Sequence, residues 1–290
     1  MLHGNGRLCN HHRSPAGIAG HTFSAPLLTL LVTALYIAAA AAHWSGALRP
    51  SATRARLMRA LVVAALAIHT VDLSSILRNE AGFALSIGDA LSLWGWVIAV
   101  STLVAGFFWP LKGAPAFLYG LVAVLASFAA EPRTYHEAVA PGFAINVHIA
   151  LSTFAAGWLS ITAVCAVLLV VQSARLKARR MDSWVRVLPP VEILERAVFA
   201  SLGAGFAALT VALITGLLFV YDLKAQHLSH KLWLSLLAWA LFATLLVGRA
   251  RYGWRGRTAA RLTVGGFFAL SLAYLGSKFV LEVVLGRHWG

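Results

Sequence analysis

The sequence predicts an all-α fold, a polytopic membrane bundle of about eight transmembrane helices with both termini outside. Three observations carry that expectation. Of the 290 residues, 60% are hydrophobic and only 12% are Asp, Glu, Lys or Arg, about half the charged content usual in soluble domains. Apolar runs of around twenty residues, long enough to cross a hydrocarbon core as helices, recur from Ala25 to Leu285 with little chain between them. No stretch shows the ten-residue alternation of an outer-membrane barrel, and runs of Ala, Leu and Val suit helices that satisfy their own backbone bonds.

Taken in order, residues 1–23 are polar and glycine-rich and read as a flexible N-terminal tail. Residues 24–290 then form one membrane domain with no soluble module. Its spans are expected near 25–47, 57–77, 88–109, 114–130, 144–173, 197–221, 231–248 and 262–285. The fourth is short and follows Pro110, Lys112 and Pro115.

A formal charge of +14 would suit a nucleic-acid partner if it were gathered on one soluble surface. It is instead distributed by loop. Arg49, Arg54, Arg56 and Arg59 follow the first span, and Lys112 precedes the fourth. Arg175, Lys177, Arg179, Arg180, Arg186 and Arg196 follow the fifth, and Arg249, Arg251, Arg255, Arg257 and Arg261 follow the seventh. Sixteen of the 24 basic residues thus occupy alternate loops, which marks those loops as cytoplasmic and both termini as external. The surplus charge is explained by topology and contact with anionic lipid, without nucleic acid.

In this orientation the histidines gather towards the outer half. His136 follows span four, His148 lies about four residues into span five, His227 and His230 precede span seven, and His288 follows span eight. His69 is deeper, roughly 12 Å below the outer end of span two, and Asp72 is three residues along the same helical face. A His69–Asp72 hydrogen bond would be a structural tie, or would fix the tautomer of a metal-binding imidazole. Only His43 sits towards the cytoplasmic face. Lys278 and Glu282 can pair with each other, or Lys278 can face the bundle and meet an anionic group. Trp94, Trp96, Trp233 and Trp289 fall near the outer boundary, where an aromatic belt is the default. His11 and His12 in the tail are solvated or form a weak metal site. Cys9 and Cys165 are too far apart in sequence for a CxxC pair, so thiol redox chemistry within the chain is not expected. Glycine pairs such as Gly265–Gly266 lie inside spans and lack the context of a phosphate loop.

From about residue 148 to 288 the chain resembles the haem-handling cytochrome c assembly family of CcsA and CcmC type, most nearly its small YpjD/HemX-like branch. The likeness is carried in order by residues 146–152 (NVHIALS), 188–196 (LPPVEILER), Leu209-Thr210, Thr215-Gly216-Leu217, and Lys231 with Trp239. It continues through residues 253–256 (GWRG), Gly265-Gly266-Phe267, Tyr274-Leu275-Gly276 and His288. The resemblance implies a non-covalent haem b with His148 and His288 as external axial ligands and His69 as an inner one. It also implies Lys231 and Lys278 opposite the propionates and Trp233 or Trp289 against the ring. In the family's tryptophan-rich segment (WDPKETWxLxxW) this chain departs. Leu228, Ser229 and His230 stand where larger members have Trp, Asp and Pro, and Leu234 stands at the central Trp.

The function expected is therefore a non-enzymatic, haem-binding, multi-pass protein of the bacterial inner membrane that assists cytochrome c assembly at the outer face, beside a membrane partner subunit. Two other classes compete. One is a regulator or scaffold linked to haem biosynthesis. The other is a proton-coupled transporter with Asp72, Asp89, Glu282 and Lys278 as a relay, which lacks the inverted repeat and broken helices that would favour it.

Overall fold

The computed structural model describes residues 25–77, 87–130, 143–179, 183–219 and 229–276. Among them the chain is helical: α1 (Ala25–Leu48), α2 (Ala52–Leu77), α3 (Ile87–Phe108), α4 (Ala114–Ser127, extended by a 3-10 turn over Phe128–Ala130) and α5 (Phe143–Lys177). There follow α6 (Ser183–Val187), α7 (Val191–Phe219), α8 (Ser229–Tyr252) and α9 (Gly256–Ser271), which runs into a π-helical turn at Leu272–Gly276. Seven of these helices are long and apolar enough to cross a membrane, and α4 is a shorter apolar eighth. The all-α bundle expected from composition is what forms. The tail and His11, His12, His136, His227, Lys278, Glu282, His288 and Trp289 lie outside the described residues.

Contacts at helix ends fix the polarity of the bundle. At the end carrying the basic loops, the Gly113 N–H before α4 donates to Val187 O at the close of α6 (3.2 Å), and Arg249 at the end of α8 meets Glu195 near the start of α7 (3.0 Å). Arg255, just before α9, reaches the same carboxylate at 3.5 Å. The two arginines hold an acid of low exposure that would otherwise be costly at the membrane boundary. The turn between α8 and α9 depends on its glycines. Gly253 (φ +65°) closes α8 by donating its N–H to Arg249 O at 3.1 Å, and Gly256 (φ +56°) opens α9; both adopt the left-handed region that costs glycine least.

Two apolar clusters share α5 as a common wall. Ala156, Ile161, Cys165 and Leu169 of α5 pack with α1 to α4, centred on Tyr36, Ile98, Leu118 and Val122. Ala155 and Leu159 pack with α7, α8 and α9, centred on Leu202, Phe242 and Leu245. In its most apolar window α5 is 72% buried, the most enclosed of the spans. Its 35 residues make about 52 Å of helix, more than the ~30 Å hydrocarbon core, so both ends project. Small residues allow the close approach of α5 and α7: a Cβ at Gly205 would stand 2.8 Å from Leu159 Cγ. By contrast α4, at about 21 Å, is too short to span alone, and it is accommodated by packing Leu118, Tyr119 and Val122 inside the bundle.

Hydroxyl groups tie the helices across these apolar contacts. Trp94 of α3 donates to Ser160 Oγ of α5 (3.0 Å), Trp96 to Thr70 Oγ1 of α2 (3.0 Å), and Trp239 of α8 to Thr210 Oγ1 of α7 (3.0 Å). Thr162 of α5 donates to Ser201 Oγ of α7 at 2.9 Å. The belt expectation for Trp94 is corrected by this arrangement. Its ring is 4% exposed, packs on Phe267 and Tyr274, and serves α3–α5 and α3–α9 packing instead of the lipid boundary.

Candidate functional site

At the end of the bundle opposite the basic loops, the start of α5, the end of α7, the start of α8 and the turn after α9 converge on a cavity of about 120 Å3. His148, Ser152, Lys231, Ser235 and Tyr274 supply its polar groups, and Ile149, Leu209, Leu213 and Leu270 its apolar wall. Sequence neighbours explain the placement. His148 follows the opening turn of α5, Lys231 lies in the first turn of α8, and Thr215 and Gly216 lie in the last turns of α7, so all four occupy the same level.

The imidazole of His148 is held in one orientation. Thr215 Oγ1 uses its single proton on Ala212 O (3.0 Å), so at 3.2 Å from His148 Nδ1 it can only accept. With the Thr215 proton on that carbonyl, the neutral ring carries its own proton on Nδ1 and turns the Nε2 lone pair towards Ser152. Ser152 Oγ approaches that nitrogen at 3.4 Å, at the outer limit of a hydrogen bond. Gly216 makes room for the ring, since a Cβ there would stand 2.8 Å from His148 Cε1. A histidine anchored through one nitrogen can present the other to a metal, and here only the long Ser152 contact would have to be displaced, against a 2.9 Å or 3.2 Å bond at His69.

Lys231 brings positive charge to the same cavity and, among the described residues, forms no ion pair. A cation on an apolar wall favours an anionic group beside it. Tyr274 closes the side facing α3, its ring edge-on to Trp94 at 5.4 Å between centroids.

Of the residues singled out in the sequence, the structure brings His148 and Lys231 together. It does not bring Trp233 to them: that side chain is 71% exposed on the outside of α8, as an aromatic-belt residue would be. His69 stands elsewhere, between α1, α2 and α3, and is fully buried. The expected His69–Asp72 bond is corrected, because Nδ1 meets the Tyr36 hydroxyl at 3.2 Å and Nε2 meets Ser92 Oγ at 2.9 Å. Both nitrogens are thereby engaged, and a metal would have to displace one hydroxyl to reach the ring. Asp72 and Asp89 are both buried, at 3% and 4% exposure. Among the described residues, no cluster of three or more His, Cys, Asp or Glu side chains is arranged to hold a metal ion. Thr215, Ser152 and Tyr274 were missed as site residues in the sequence. All three fall within the segments that carry the family likeness, and Ser152 also sits four residues after His148 on the same helical face.

An all-helical, multi-pass membrane protein with a histidine–lysine cavity at the end away from its basic loops is the class that the fold and this site define. The model of the Cytochrome C assembly protein family matches residues 84–285, and the chain belongs to that family. Among similar proteins, the 28.8 kDa protein in nifR3-like 5'region of Azospirillum brasilense is 38% identical over 169 residues, covering 58% of this chain and 62% of that relative. The inner membrane protein YpjD of Escherichia coli strain K12 is 29% identical over 267 residues, or 89% of this chain and 99% of the relative. The cytochrome c biogenesis protein CcsA of Synechococcus is 25% identical over 275 residues, or 84% of this chain and 88% of the relative. No solved structure matches the chain.

Proposed function

We propose that this protein is a non-enzymatic inner-membrane component of cytochrome c biogenesis that holds a haem b at the outer end of its bundle. Membership of the Cytochrome C assembly protein family supports the biological role, as does similarity to a relative named as a cytochrome c biogenesis protein. Similarity to a relative named as an inner membrane protein supports the location. The observation that carries the haem reading is the His148 imidazole, with Nδ1 on Thr215 and only a 3.4 Å contact from Ser152 Oγ at Nε2, beside Lys231, which forms no ion pair among the described residues.

The residues fit such a group in chemistry. Neutral imidazole is a strong ligand for haem iron, a lysine counters propionate charge, and the leucine-rich wall suits the faces of a macrocycle. A cavity of about 120 Å3 is below the ~300–1,000 Å3 of pockets for drug-sized ligands, so entry of a macrocycle requires the outer ends of α7, α8 and α9 to part. His288 is the proposed second ligand, with Lys278 proposed to counter propionate charge and Trp289 to stack on the ring; all three lie outside the described residues. His69, with both nitrogens hydrogen-bonded, is a structural tie in this reading. Bound haem would supply redox chemistry; the protein holds, orients and shields it, and a membrane partner subunit and the acceptor apoprotein complete the assembly.

The test is a reduced-minus-oxidised spectrum of the detergent-purified chain after reconstitution with haem, for wild type, His148→Ala and His288→Ala. A low-spin haem signal in wild type that disappears in both variants is the expected result. Wild-type protein that takes up no haem would sink the proposal and leave a scaffolding or regulatory role.

Thr215→Val provides a finer measurement. Valine keeps the shape but removes the acceptor for Nδ1–H, and loss of such a supporting partner typically weakens metal binding by about 10–100-fold. Haem titration should show a loss in that range, with Thr215→Ser restoring affinity. An unchanged affinity would mean that Thr215 does not orient the ligand.

A further inference from the structure

A second cavity, of about 370 Å3, opens at the opposite, basic end between α1, α2, α3 and α4, and it shares no lining residue with the His148 site. Arg59 of α2 and Lys112 of the α3–α4 turn are exposed at its edge, and neither forms an ion pair among the described residues. His43 is half-buried with its ring 5.2 Å from that of Tyr119, which closes the interior. Leu103 and Phe107 of α3 make an apolar wall, and Phe107 is 69% exposed, so the wall continues to the outside of the bundle. Two exposed cations, of which Arg59 makes only a 3.4 Å bond from Nε to Ala55 O, stand above an apolar trough and match a molecule with a negative head and a hydrocarbon tail.

The backbone at Lys112 supplies a second, independent observation. Its φ is +43°, a left-handed conformation that glycine or asparagine adopts at less cost than lysine. The turn is pinned on both sides: Leu111 N–H donates to Trp109 O and Ala114 N–H to Leu111 O, each at 2.9 Å, while Gly113 is packed against Val187 with no room for a Cβ. A lysine held in a residue-unfriendly conformation at the mouth of a cavity points to a use for its cation.

We propose that this cavity is a binding site for an anionic phospholipid of the cytoplasmic leaflet, with the headgroup phosphate between Arg59 and Lys112 and an acyl chain along Leu103 and Phe107. The basic loops place this end of the bundle at the cytoplasmic headgroup layer, where such lipids are found. The site is thus more specific than the general attraction of arginine-rich loops to a charged membrane, and it stands whether or not the protein binds haem.

Native mass spectrometry of the full chain in detergent tests it, by titration with phosphatidylglycerol and with phosphatidylcholine of the same acyl chains. Wild type should retain phosphatidylglycerol by roughly tenfold or more over phosphatidylcholine, from two cations at the headgroup plane. The Arg59→Gln, Lys112→Gly pair should abolish that preference and still fold, because glycine suits the positive φ at 112; helical circular dichroism and the melting temperature check this. An Arg251→Gln, Arg257→Gln pair, which removes two exposed cations elsewhere at the same end, should keep the preference. Retained selectivity in the first pair, or equal loss in the second, overturns the proposal. Complete displacement of the lipid by inorganic phosphate would also overturn it, in favour of a site for free phosphate.

Discussion

Replacing His69 by leucine is expected to cost the detergent-purified protein about 2 kcal/mol, the scale on which leaving a buried hydroxyl without a partner is felt. His69 and Tyr36 are both at 0% exposure, and the imidazole links Tyr36 of α1 to Ser92 of α3 through α2. Leucine preserves much of the volume and removes both bonds. The two hydroxyls left behind are not equivalent. Ser92 is within a helix and can turn its proton to the carbonyl four residues back, as Ser160 and Ser201 do here, whereas the Tyr36 hydroxyl projects too far to reach its own backbone. Most of the loss therefore comes from Tyr36. The double variant Tyr36→Phe, His69→Leu should be nearer to wild type than His69→Leu alone, because removing both partners of a buried bond costs less than removing one. Unfolding in mixed micelles, followed by circular dichroism, measures this. If the double variant is the less stable of the two, the Tyr36–His69 contact does not carry the coupling.

That triad also shows where sequence reasoning stopped. Asp72 was the natural partner for His69 because it is three residues away on the same helical face, whereas the actual partners are 33 and 23 residues distant on two other helices. Hydropathy finds a span and its period finds a face, but neither says which helices adjoin. The same gap explains Trp94, which has the composition and depth of a belt residue and acquires its partner from Ser160, 66 residues on. Helix ends moved for a different reason. α2 begins at Ala52 instead of 57, and α7 at Val191 instead of 197, because Arg54, Arg56, Glu192, Glu195 and Arg196 are compatible with helix outside the hydrocarbon layer. A hydropathy window penalises those charges, although Glu195 is satisfied by Arg249 and Arg255. What was legible from composition is what depends on one stretch of chain, the apolar helices and the basic loops, while the pairing of His148 with Lys231 came from the family resemblance. What was not legible depends on three-dimensional neighbours, and the Thr215 anchor and the cavity by Lys112 both belong to that category.

Gly216 is the position at which a single side chain should most disturb the proposed haem site. Its ideal Cβ would lie 2.8 Å from His148 Cε1, 3.4 Å from Nδ1 and 3.6 Å from Nε2, against the Cε1 corner of a rigid ring and not against a flexible chain end. The ring is tethered by Thr215 and cannot turn aside without losing that bond. Leucine at 216 adds four carbons against a ring that itself lines the cavity of about 120 Å3, so it displaces the imidazole from its place in that wall. Gly216→Leu is expected to reduce haem retention at least tenfold and to destabilise the bundle by about 1–3 kcal/mol, the usual cost of overpacking. Alanine at the same position should give a smaller loss of both. The decisive comparison is His148→Ala, Gly216→Leu: removing the ring relieves the clash, so stability should return towards wild type while haem retention does not. Recovery of stability without recovery of binding identifies steric displacement of His148 as the cause. If Gly216→Leu instead retains the wild-type haem spectrum, the ligand is held somewhere other than beside this histidine.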